Sequence, residues 1–167
     1  GLQDKNNLEP VAVADCWKTR AEAGAKRVGA KQFFADYRKL LDIKDIDYVT
    51  IATPEHWRSK MTLDAMDAGK AVYCEKPMTH TISQAQAVIK KQKQTKQPLQ
   101  VGVQSMSDDS YRAAAEAIRS GVLGSEVQAQ LEYVRRYGNQ GPWRKPGLKG
   151  NMPQPNDLNW NDWLGHA

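Results

Sequence analysis

The sequence predicts an α/β chain: an incomplete doubly wound parallel sheet followed by the opening of a second α/β domain. Two observations carry this reading. Short apolar runs bounded by turn residues alternate with stretches of helical periodicity. Near residue 126 the pattern changes to a longer segment in which apolar and polar residues take turns, as in a sheet covered on one face. With 167 residues, the chain can bury one domain core and begin another, but two complete domains do not fit.

Taken in order, Val11 to Ala14 is a short apolar run ending at Asp15, the pattern of a strand buried on both faces. A helix follows from about Lys18 to Val28 and closes at Gly29, the residue type that tolerates the left-handed conformation past a helix end. A second helix is expected near Asp36, with Tyr37, Leu40 and Leu41 at helical spacing, and then a strand over Tyr48 to Ala52. Thr53-Pro54-Glu55 suits a helix start: Thr can cap, Pro tolerates the first turn, and Glu favours the positive end of the helix dipole. That helix carries Met61, Ala65, Met66 and Ala68 and stops at Gly69. Ala71 to Cys74 is the next strand, and Thr81 with Gln84 matches a capping box for a helix running to about Thr95. Leu99 to Val103 forms a further strand, and Ser107 or Asp108 caps a helix with Tyr111, Ala114, Ala115 and Ile118 on one face, ending at Gly121. The alternating strand is expected over Glu126 to Arg136. Beyond it, Tyr137 to Ala167 is rich in Gly, Pro, Asn and Trp without periodicity and reads as a long loop or interrupted element.

Composition narrows the class. A hydrophobic fraction of 40% and a charged fraction of 26% describe an ordinary globular chain. No apolar run approaches the roughly 18 residues of a membrane span, and the first ten residues lack a signal-peptide layout, so no membrane partner is expected. A formal charge of +5 and a pI near 9.2 raise the question of nucleic acid. Lys90, Lys91, Lys93 and Lys96 share one predicted helix, however, which reads as a solvated face, and no nucleic-acid partner is expected. Cys16 and Cys74 each follow a predicted strand and favour reduced thiols and a cytoplasmic setting. No metal site is expected.

In a doubly wound sheet, ligands bind beyond the carboxyl ends of the strands, and polar clusters stand there. Asp15 can accept hydrogen bonds from both hydroxyls of an adenosine ribose and would repel a 2′-phosphate, or it can simply cap the helix that follows. Thr53, Pro54 and His56 lie where backbone N–H groups at a helix start can meet phosphate or ribose oxygens, or where they serve as plain capping. Glu75-Lys76-Pro77 is the sharpest signal. A lysine beside an oxidised nicotinamide has a positive neighbour and partial burial, both of which favour the neutral amine that a general base needs. The alternative is a surface lysine before a turn-forming proline.

The order VAVADC, YVTIATPEHW, DAGKAVYCEKPMTHT, LQVGVQS and IRSGVLGSEV resembles the glucose-fructose oxidoreductase and inositol dehydrogenase family, Gfo/Idh/MocA, over about Pro10 to Arg136. The resemblance implies a Rossmann-type domain over residues 1–104 and the beginning of a substrate and oligomerisation domain over 105–167. It implies that Asp15 holds the adenosine ribose, that Thr53 and Pro54 line the cofactor, and that Glu75 and Lys76 stand beside the nicotinamide. It further implies a cis peptide at Lys76-Pro77, a homo-oligomeric full-length protein, and a sugar or polyol substrate.

Three departures qualify it. The glycine-rich phosphate loop is absent, and residues 1 to 9 read as the tail of the helix that should follow it, so the sheet is expected to lack its central strand. The position five residues after Thr53, where the family often carries His, is Arg58, with His56 two residues earlier. Asp162 and His166 share the spacing of the family's downstream acid/base pair, but Trp160 to Ala167 more closely resembles an aromatic Trp-Leu-Gly segment that precedes it. The expected function is therefore that of a fragment, itself inactive, of an NAD-dependent sugar or cyclitol dehydrogenase with Lys76 as base. NADP is the alternative cofactor, because Lys18 and Arg20 could approach a 2′-phosphate. The rival functions are an NAD-dependent glycoside hydrolase and a non-catalytic dinucleotide-binding regulator. Trp143, Trp160 and Trp163 are candidates to stack on a sugar, cover the nicotinamide, or pack between domains.

Overall fold

Apolar strands flanked by helices fold as the periodicity requires. The computed structural model describes residues 7–125, 127–130, 132, 134 and 154–165. Five strands pair in parallel: β1 (Ala12–Ala14), β2 (Gln32–Phe34), β3 (Tyr48–Ile51), β4 (Ala71–Glu75) and β5 (Leu99–Gly102). They form two sheets, β1-β2 and β3-β4-β5. No described strand pairs with the second edge of β1 or with the second edge of β3. Six helices connect or follow them: α1 (Lys18–Val28), α2 (Tyr37–Leu41), α3 (Glu55–Asp67), α4 (Ile82–Thr95), α5 (Asp109–Arg119) and α6 (Trp160–Leu164).

The chain divides into two compact units, one of Gly1–Val103 with Pro155–Ala167 and one of Gln104–Gln154. Among the described residues, the main core of the first unit lies between the three-stranded sheet and α3 and α4. Ile51, Ala65, Met66, Val72, Cys74 and Val88 are buried there, with Leu63, Met78 and Leu99 packed around them. The two-stranded sheet is more thinly covered: Ala21 and Ala25 of α1 are buried, and a Cβ on Gly24 would stand 3.2 Å from Val13 Cγ1, so helix and strand approach closely. Two cysteines are free, Cys74 buried and Cys16 partly so. No helix among the described residues is long and apolar enough to cross a membrane.

Local signals decide most helix ends. Gly29 adopts φ 77° after α1, Asp36 and Asp108 accept amide hydrogen bonds at the starts of α2 and α5, and Thr81 and Gln84 complete the capping box of α4. Four expectations need correction. Strand β2 was not anticipated, because only three residues pair and Gln32 and Phe33 are exposed, so no apolar run marks it. Thr53 does not cap α3: Pro54 holds the N-cap position without a side-chain bond, and the Thr53 hydroxyl turns to Met61 Sδ at 3.5 Å. The strand expected over 126–136 does not form at residues 127–130, where Val127 is fully exposed. No described segment offers that stretch a pairing partner, and positions 126, 131, 133, 135 and 136 lie outside the described residues. Finally, the aperiodic C-terminal stretch contains α6, too short to show periodicity, whose Asn159 cap accepts from the Asp162 amide at 3.1 Å. Trp143 and His166 lie outside the described residues.

Candidate active site

The register of the three-stranded sheet brings the predicted clusters to one end. Ile51 pairs with Cys74, and Cys74 and Glu75 pair with Val101 and Gly102. Thr53-Pro54 and Lys76-Pro77 therefore leave neighbouring strands at the same level, on the carboxyl side where a doubly wound sheet binds ligands. The Lys76-Pro77 peptide is cis, and the Lys76 side chain is exposed.

Arg58 ties the two loops together. Its guanidinium is buried on α3, where Nε donates to the Thr53 carbonyl at 2.7 Å and Nη1 to the Pro77 carbonyl at 3.0 Å. Two charge-assisted bonds from one rigid fork set the spacing between the end of β3 and the peptide following Lys76. This gives the departure at position 58 a structural role.

Glu75 is half-buried, with Oε2 lying 2.5 Å from where a Cβ on Gly102 would stand; the phenol oxygen of Tyr73 lies 2.7 Å from the same point. Any side chain at 102 would displace both, so Gly102 keeps room for two polar groups beside the lysine loop. A lone glycine in a strand is the one sequence signal that could have marked this.

Asp15 stands apart from these groups, at the end of β1 on the other sheet. One carboxylate oxygen accepts the Trp17 amide at 2.9 Å, and the other lies 4.0 Å from Arg20 Nε. One oxygen thus serves the turn into α1 while the side chain remains one-third exposed. Beside it, burial and the Asp15 charge push the Cys16 thiol upward, so it is a poor nucleophile. His56 is exposed on the first turn of α3, and its Nε2 meets the Trp163 carbonyl at 3.0 Å. It is engaged with α6 rather than with the lysine loop.

Sequence reasoning singled out Trp160 and Trp163 but missed that their segment forms α6 and returns to the loops after β1 and β3. A groove of about 210 Å³ lies between it and Asp15. A larger depression, about 290 Å³, lies at the amino ends of the three-stranded sheet between Tyr48, Tyr73 and Leu99, opposite the carboxyl ends that carry the lysine loop. Among the described residues no cluster of metal-ligating side chains occurs.

Parallel strands joined by helices, with loops that leave neighbouring strands together at their carboxyl ends, are the arrangement of a doubly wound nucleotide-binding domain. The chain belongs to the Gfo/Idh/MocA oxidoreductase family with the NAD-binding Rossmann fold, whose model matches residues 1–103. It is 32% identical over 117 residues to scyllo-inositol 2-dehydrogenase (NAD(+)) of Bacillus subtilis, covering 70% of this chain and 34% of that protein. It is 33% identical over 125 residues to inositol 2-dehydrogenase of Salmonella typhimurium, covering 73% and 37%. Among solved structures, scyllo-inositol dehydrogenase from Lactobacillus casei with bound NAD(H) and scyllo-inositol superposes with a TM-score of 0.64 at 26% identity, over 70% of this chain and 35% of that one. The chain thus spans about a third of the length of the relatives it matches.

Proposed function

We propose that the full-length protein is an NAD-dependent dehydrogenase that oxidises a carbinol of a sugar or cyclitol. The observation that carries this reading is the lysine loop: an exposed Lys76 at the carboxyl end of the middle strand of a parallel sheet, in a loop braced by Arg58. The residues present suit the cofactor. Asp15 offers a carboxylate one-third exposed where ribose hydroxyls would be held, and its charge favours NAD over NADP. Thr53 and Pro54 line the cofactor's path, His56 borders it, and Glu75 stands beside the nicotinamide end. A bound nicotinamide supplies the electron acceptor. Lys76 Nζ takes the proton from the carbinol oxygen, and Arg58 holds the loop that positions it.

The change of compact unit after Val103 and the end of the family match at the same residue support a cofactor domain over 1–104, with a substrate and oligomerisation domain beginning at 105. In a doubly wound order of 3-2-1-4-5-6 the first strand stands between the pair corresponding to β1-β2 and the trio corresponding to β3-β4-β5. Free thiols at Cys16 and Cys74 support a reducing, cytoplasmic setting; the homo-oligomer rests on the family membership alone. The test is NADH absorbance with the full-length protein over a panel of polyols and glycosides. Net NADH formation on a polyol is expected. Glycoside cleavage without net NADH would assign the hydrolase chemistry instead, and NAD binding without turnover would assign a regulator.

A further inference from the structure

The segment Pro155–Gly165 folds back onto two separate strand ends. At the first, Leu158 bridges Trp17, the Asn159 amide donates to the Cys16 carbonyl at 3.0 Å, and the Lys18 amide donates to the Asp157 carbonyl at 3.3 Å. The N-cap of α1 is Trp17, whose side chain cannot cap. Asp157 supplies the missing acceptor from 138 residues away: its carboxylate takes the Thr19 amide at 2.8 Å and also the Thr19 hydroxyl, while its other oxygen takes the Trp17 indole N–H at 2.9 Å. At the second strand end, Trp57 Nε1 donates to the Asp162 carbonyl at 2.7 Å and His56 meets the Trp163 carbonyl. A Cβ on Gly165 would sit 3.0 Å from the His56 ring, so glycine permits this close seat.

Spanning these anchors, the segment encloses a groove of about 210 Å³ with Asp15 and Arg20 on one side and Leu158, Trp160 and Trp163 on the other. Both indoles remain exposed, Trp160 at 44% and Trp163 at 37%. Two large aromatic faces left uncovered opposite a carboxylate and a guanidinium match a ligand that joins a flat ring to a diol.

We infer that Pro155–Gly165 is a wall of the cofactor site that stacks on the adenine of a dinucleotide whose ribose Asp15 holds. Trp160 and Trp163 supply the stacking surface, and the downstream segment completes a subsite that the β1 loop alone leaves open. The inference rests on the NAD reading given above.

The test is isothermal titration of the full-length protein with NAD, ADP-ribose and nicotinamide mononucleotide. Trp160→Ala is expected to weaken NAD and ADP-ribose by about tenfold, the scale of a lost base–aromatic stack, and to leave nicotinamide mononucleotide unchanged. Trp160→Phe keeps a ring and is expected to stay within about twofold of the unsubstituted protein. Trp160→Leu preserves apolar bulk without a ring face and is expected to match the alanine variant, which separates stacking from folding. ADP-ribose binding unchanged in both the alanine and leucine variants, while the unsubstituted protein binds NAD, overturns the wall and leaves the NAD reading standing. A nicotinamide mononucleotide loss as large as that of ADP-ribose also overturns it. An unsubstituted protein that binds neither NAD nor ADP-ribose overturns both.

Discussion

The two sheets of the first unit are built differently. The β3-β4-β5 half packs its own core of Met66, Val72, Cys74 and Val88, and Arg58 braces the loops after β3 and β4 from within. The β1-β2 half has three-residue strands, a covering helix that buries two alanines, and a helix start capped by a residue 138 positions downstream. The half proposed to carry the base has its own packed core, whereas the half proposed to hold the adenosine has its first helix capped by a remote segment. Positioning of the proposed base is therefore local in sequence, and that of the proposed ribose subsite is not.

The largest expected effect falls on the lysine loop. Lys76→Ala in the full-length protein should lower kcat on its polyol by roughly 10²–10⁴-fold, the usual contribution of a general base, while NAD affinity holds. Oxidation at the unsubstituted rate would remove Lys76 from the chemistry. Next is the core beneath it: Met66→Ala, at a fully buried position, should cost about 2–5 kcal/mol in chemical denaturation. A loss well below that range would mean the three-stranded half is not the stable one.

Arg58→Ala should have a smaller effect, about 1–3 kcal/mol, by leaving two carbonyls without their donor. It should also lower kcat/KM, since the lysine loop loses its brace. Arg58→Lys cannot fork to both carbonyls and should fall between the two. Equal kcat/KM in all three proteins would make the brace purely structural.

The smallest effect is expected at the α1 cap. Hydrogen bonds from Thr19 hold the Asp157 carboxyl below the usual carboxylate range, so its contribution is present above the unfolded value and lost as pH falls through the folded one. Asp157→Ala should therefore speed hydrogen exchange of the Thr19 amide relative to the unsubstituted protein at neutral pH. That ratio should shrink toward one as the pH falls below about 4. A ratio independent of pH would mean that the carboxylate is not the cap.

What the sequence made legible follows the same division. Caps formed by residues within four positions of each other could be read directly: Thr81 with Gln84, Asp108 with Ser110, Gly29 after Val28. Strands with apolar runs were readable as well, and with them the level at which Thr53 and Lys76 leave the sheet. Strand β2 was not, because its pairing to β1 leaves Gln32 and Phe33 exposed. Arg58 stood out as a departure, but its role depends on carbonyls 5 and 19 residues away that only the fold brings to one side chain. Asp157 offered no signal at all, since a carboxylate in a Pro- and Asn-rich stretch looks like any loop residue until the chain returns to Thr19.

The proposed NAD site is tested most directly by titration of the full-length protein with NADH, followed by cofactor fluorescence. Saturable binding that weakens when Asp15 is replaced by Ala is expected. Absence of binding by the unsubstituted protein would contradict the account.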